Sequence, residues 1–137
     1  MTRKQTGIMM QATHWIAIAA GGALGAVLRA FVYELFVLTR NPHLHHYPTL
    51  TVNLVGSVLM GICWYLLAEK AMLSPTWKIF VMTGFLGAMT TFSTFSLDLM
   101  RLLQSDQFLT ALAYGLGSVL VCLLGTWLGY QGIRWAL

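Results

Sequence analysis

Long apolar stretches alternate with short polar connections along this chain. Crossing a bilayer as helix takes about 20 predominantly apolar residues. Four stretches meet that length: about His14 to Leu38, Pro48 to Ala68, Trp77 to Leu97 and Gln107 to Ile133. The second and fourth carry no charge. Pro75 stands just ahead of the third, where it suits a helix start. The first continues past Arg29 to Leu38, which fits a retained span better than a signal peptide. The pattern predicts an all-α integral membrane protein, with residues 1–137 forming a single four-span domain.

The third stretch departs from a plain span. Its segment Thr83 to Ser96, TGFLGAMTTFSTFS, carries Gly84, Gly87, Thr90, Thr91, Ser93, Thr94 and Ser96. Non-helical backbone at membrane depth survives only where protein or a water-filled cavity covers it, so this segment is expected to line a path. Gly84 and Gly87 admit two readings, close helix packing or a break in the span. Glycine tolerates non-helical dihedrals, and the paired threonines can bond nearby carbonyls. A break would free carbonyls able to hold a small cation such as Na⁺. Phe92 and Phe95 share a helix face. They are either a packing pair or a wall whose electropositive ring edges meet a small anion.

Polar residues elsewhere are sparse. Gly21 and Gly25, and again Gly125 and Gly129, have the small-xxx-small spacing that lets helices approach closely. Asn53 is the one strongly polar residue of the second span, and Gly56, Ser57 and Gly61 follow it. Tyr114 and Ser118 lie one turn apart on the fourth. Asn53, Ser93, Thr94, Tyr114 and Ser118 are neutral donors. They could repay part of an anion's lost hydration and still let it leave, as conduction requires. Arg29 either snorkels to the interface or supplies positive field at the mouth of a path. Asp98 reads as an end-of-helix polar residue, and spans two to four then hold no interior acid.

Composition agrees. The chain is 58% hydrophobic and 9% charged, against about a quarter charged in soluble domains. Trp15, Tyr47, Trp64, Tyr65, Trp77, Trp127, Tyr130 and Trp135 fall near span ends, as an interfacial belt requires. The net charge of +4 is spread thinly, with no basic run longer than Arg3-Lys4, which excludes nucleic-acid partners. Arg3, Lys4, Lys70, Lys78 and Arg134 fall on the side of the termini, Arg40 and Arg101 on the other, a weak bias towards cytoplasmic termini. Cys63 and Cys122 lie in apolar runs and read as small packing residues. His43, His45 and His46 share a loop without carboxylate or cysteine company, which favours a plain interfacial loop over a metal site. No catalytic constellation and no nucleotide-binding segment is visible, so neither an enzyme nor an ATP-driven pump is expected. Four short helices pack too thinly for a wide pore of their own. A homo-oligomer, a dimer with the path at its interface, is expected.

GGALGAVLR at Gly21 to Arg29, TLTVNLVGS at Thr49 to Ser57 and TGFLGAMTTFSTFS at Thr83 to Ser96 resemble the Fluc (CrcB) fluoride channels, over all four spans. The resemblance implies passive fluoride export that protects a bacterium from fluoride toxicity, through an antiparallel, dual-topology homodimer in the inner membrane. It implies a broken third helix, two pores and a central structural Na⁺. Carried over by position, Phe92, Phe95 and Asn53 would line the pore, with Ser93, Thr94, Tyr114 and Ser118 on its polar side. Gly87 and Thr90 would offer carbonyls to Na⁺. Arg29 matches the first-helix arginine and would act electrostatically. Two features depart from the pattern: the basic bias between sides, and Cys122, which stands where a hydroxyl would extend the polar track. The rivals are a proton-coupled small multidrug exporter, which would rely on Glu34, and a membrane scaffold protein without flux.

Overall fold

The computed structural model describes residues 11–39 and 46–137. Arg3, Lys4, Arg40, His43 and His45 lie outside the described residues. Those described form helices and turns, with no strand among them. Four helical spans are long and apolar enough to cross a membrane: Ala12–Leu38, Tyr47–Glu69, Pro75–Gln104 and Phe108–Ala136. The third runs on well beyond the expected end at Leu97. Its close is a left-handed turn. Asp106 adopts φ 58°, and the Gln107 N–H returns to the Leu102 carbonyl at 3.0 Å, the pattern that satisfies orphan carbonyls at a helix end.

The spans pack as two pairs. The N-terminal half of the third lies along the first, and the second lies along the fourth. Glycines make both contacts possible. A Cβ on Gly21 would strike the Phe80 carbonyl oxygen, and one on Gly25 the Phe85 carbonyl oxygen. Gly84 answers from the third span, where an added Cβ would lie 3.0 Å from the Ile18 carbonyl oxygen. In the other pair a Cβ on Gly61 would strike the Thr126 carbonyl oxygen, and one on Gly129 that of Val58. Both small-xxx-small faces are therefore used within one chain, and they do not speak for contact between subunits.

Hydrogen bonding widens to the i→i+5 pattern over Trp64–Glu69 and Ile79–Leu86. The third span then stops at Met89 and restarts at Phe92. Between them Thr90 (φ −83°, ψ 154°) and Thr91 (φ −151°, ψ 125°) are extended. Beyond this point the chain leaves the first span and leans on the fourth. There Phe95, Leu102, Ala111 and Tyr114 form a small buried cluster, with Leu50 and Leu99 against it. Large apolar side chains elsewhere, such as Leu24, Phe31, Leu109, Leu120 and Leu123, are exposed. A surface like that needs lipid or a partner to cover it.

Candidate functional site

Thr91 organises the interrupted segment. Its hydroxyl oxygen accepts the Thr94 N–H at 3.2 Å and caps the restarting helix, as a threonine before a helix does. The same hydroxyl contacts Ser93 Oγ at 3.1 Å and donates to Thr94 Oγ1 at 3.2 Å. From the second span, Asn53 grips the backbone of Thr91. Its Oδ1 accepts the Thr91 N–H at 2.8 Å, and its Nδ2 donates to the Thr91 carbonyl at 2.9 Å. The backbone N–H can only donate, which fixes the orientation of the amide. Of the two amide N–H donors of Asn53, one is thus engaged by backbone and one remains. Gly56 makes room for this join, since a Cβ there would strike Thr90 Cγ2.

A groove of about 460 Å³ opens beside the segment, between the second span, the third and the fourth. Asn53, Gly87, Thr90, Phe92, Phe95 and Ser118 all line it, and no charged residue among those described does. Phe92 is 76% exposed and Phe95 only 7%, with ring centroids 5.4 Å apart. Ser118 is buried, and its Oγ has no hydrogen-bond partner among the described residues. Cys122 and Thr126 continue from Ser118 at successive steps of four residues, and both line the groove. The Thr126 hydroxyl is turned onto the Cys122 carbonyl at 3.1 Å. The groove thus offers neutral donors and ring surface in place of fixed charge.

Several expected residues lie elsewhere. Ser93 and Thr94 are held by Thr91 and do not line the groove. Tyr114 does not line it either. Its ring packs on Phe95 at 5.4 Å, and its hydroxyl donates to Asp98 at 3.4 Å. Arg29 is half-buried, away from the groove, and makes no ion pair among the described residues. His46 packs between the rings of Tyr47 and Tyr114, at 4.8 and 5.1 Å. No group of metal-ligating side chains occurs among the described residues.

The reading of Asp98 as an end-of-helix residue is corrected. The helix continues to Gln104, and Asp98 is 2% exposed. Thr49 donates to its Oδ2 at 2.6 Å, Tyr33 lies 2.7 Å from the Thr49 hydroxyl, and Arg101 is 3.9 Å from Oδ1. Tyr33 of the first span, Thr49 of the second, Asp98 and Arg101 of the third and Tyr114 of the fourth meet in this network, so the third span does hold an interior acid. Thr91 was read from the sequence only as one of two threonines able to bond carbonyls, and its role as a helix cap was missed. A threonine opening a Thr-Phe-Ser-Thr run has the form of a helix cap, which is the signal that could have found it.

Residues 16–130 match the family model described as CrcB-like protein, Camphor Resistance (CrcB). The chain is 45% identical over 109 residues to a protein of Saccharophagus degradans, covering 78% of this chain and 79% of that one. It is 47% identical over 116 residues to a protein of Hahella chejuensis, covering 83% and 89%. A protein of Magnetococcus marinus is 44% identical over 115 residues, covering 84% and 91%. All three relatives are named fluoride-specific ion channel FluC. With the match running from the first span to the last, this chain belongs to the CrcB-like protein family.

Proposed function

We propose that the protein is a fluoride-selective channel of the bacterial inner membrane, exporting fluoride passively down its electrochemical gradient. The observation that carries this reading is the groove. Among the described residues it unites Asn53, Phe92, Phe95 and an unpartnered Ser118 hydroxyl, and none of its lining residues is charged. A small anion gives up hydration worth many kcal/mol on entering such a site. The remaining Asn53 N–H, the Ser118 hydroxyl and the ring edges repay part of it, and the lack of a fixed cation lets the ion leave. The names of the relatives agree with this function. The exporter reading needs an acid open to a transport path. Glu34 is exposed near a span end, and Asp98 is held by Thr49 outside the groove.

The working unit in this proposal is an antiparallel, dual-topology homodimer. A phenylalanine 76% exposed beside a polar interruption supports it, since a second copy would cover the ring. A structural Na⁺ at the dimer centre is part of the same reading. In a continuing helix the carbonyl of residue i accepts the N–H of i+4. The helical donors for Gly87 and Thr90 are Thr91 N–H and Thr94 N–H, and both are engaged by side chains. Carbonyls released in this way are hard oxygen donors, the kind broken transport helices offer to Na⁺. Gly87 and Thr90 from each subunit would hold the ion, which supplies charge to tie the two interrupted segments together. Phe92→Ile and Asn53→Asp are expected to lower fluoride flux with the dimer intact. Full flux in both would remove these residues from the path.

A further inference from the structure

We infer that Thr91 and Asn53 are positioning residues for the cation at the interrupted segment, selecting which backbone carbonyls are open to it. The inference rests on the Na⁺ reading above. Two side-chain bonds carry it. Asn53 Oδ1 takes the Thr91 N–H at 2.8 Å, which withdraws the helical donor of Gly87. Thr91 Oγ1 takes the Thr94 N–H at 3.2 Å, which withdraws the helical donor of Thr90. The adjacent Leu86 carbonyl is a control within the same turn. It keeps its helical donor, Thr90 N–H at 3.1 Å, and also accepts the Thr90 hydroxyl at 3.0 Å. Leu86 is closed to a cation, whereas Gly87 and Thr90 have lost the donors that would close them.

Thr91 is the shared member. Its hydroxyl frees one carbonyl, and its N–H, held by Asn53, frees the other. Its own carbonyl accepts the Asn53 Nδ2 at 2.9 Å, so the amide cannot turn without releasing the segment. Asn53 also lines the groove. Cation binding and the orientation of the groove asparagine therefore belong to one hydrogen-bonded unit. What Na⁺ does to Asn53, Asn53 must do to Na⁺ affinity, by linkage.

The test is the Na⁺ dependence of melting for the full-length protein in micelles, with a bulky organic cation replacing Na⁺ at constant ionic strength. A ligand bound only by the folded state raises the melting temperature by mass action. Thr91→Val keeps the β-branched shape and removes the hydroxyl, while Asn53→Leu removes the other bond. Each is expected to raise the half-effective Na⁺ concentration about tenfold or more, the usual loss when a partner that orients a ligand is removed. Thr91→Ser keeps the hydroxyl and is expected to match the parent. Parent-like Na⁺ dependence in both Thr91→Val and Asn53→Leu would overturn the inference and leave the Na⁺ site standing. A parent protein indifferent to Na⁺ would instead contradict the Na⁺ reading, and the inference with it.

Discussion

Thr49 and Asp98 are joined by a 2.6 Å hydrogen bond from a hydroxyl of the second span to a carboxylate of the third, and both residues are buried. Deprived of its short donor, the buried carboxylate keeps only the 3.4 Å Tyr114 bond and the 3.9 Å Arg101 contact against its desolvation cost. Thr49→Val is expected to destabilise the protein by about 1–3 kcal/mol. Tyr114→Phe removes the 3.4 Å bond to the same oxygen, and its loss should fall near the lower limit for a hydrogen bond, about 0.5 kcal/mol. Melting of the two variants in micelles checks the order. A larger loss in Tyr114→Phe would contradict the dominance of the Thr49 bond.

Glycines of the same helical class should respond in opposite directions. A Cβ on Gly25 would strike the Phe85 carbonyl oxygen, which is backbone and cannot swing aside, whereas nothing lies within 4 Å of a Cβ on Gly117. Gly25→Ala forces the first and third spans apart, and overpacking of this kind costs about 1–3 kcal/mol or more. Gly117→Ala is expected to be neutral or to gain up to about 1 kcal/mol from helix propensity. The yield of monodisperse protein and its melting temperature report both.

The two phenylalanines divide stability from passage. Phe95 is 7% exposed and packs at a tilt against Tyr114, while Phe92 is 76% exposed. Phe95→Ala should lose about 3–5 kcal/mol, as buried aromatic truncations do. Phe92→Ala should lose far less. Fluoride flux is expected to fall in both variants. An unchanged flux in Phe92→Ala would place that ring outside the path.

Cys122 lines the groove and Cys63 does not. A thiol there offers a soft ligand that binds Hg²⁺ with loss of its proton. Micromolar Hg²⁺ is expected to stop fluoride efflux from the parent and from Cys63→Ser, and to leave Cys122→Ser flowing. Block that follows Cys63 would contradict the position assigned to the groove.

Much of the fold was legible because a bilayer leaves few choices. Apolar length and charge-free runs marked four spans, and the observed helices begin and end within a few residues of the expected limits, except where the third runs on to Gln104. That error had a physical origin. Asp98 and Arg101 looked like the water-facing end of a span, because sequence alone does not show that Thr49 lies across from Asp98 at bonding distance. The candidate site was legible as a set of residues and less so as a set of bonds. Asn53 read as a donor to a passing ion, yet half of its hydrogen-bonding capacity holds the backbone of Thr91. Tyr114 read as part of the track beside Ser118, but helical spacing does not reveal that its hydroxyl is drawn to Asp98. The glycine pairs announced close contacts correctly and left open with what. The answer, the neighbouring span of the same chain, is a matter of tertiary packing.

The central claim is selective passage of fluoride, and efflux from liposomes containing the purified protein tests it most directly. With a potential set by a K⁺ gradient and valinomycin, vesicles loaded with fluoride are expected to empty rapidly, while vesicles loaded with chloride hold their contents. Equal release of both anions, or release of neither, would contradict the account.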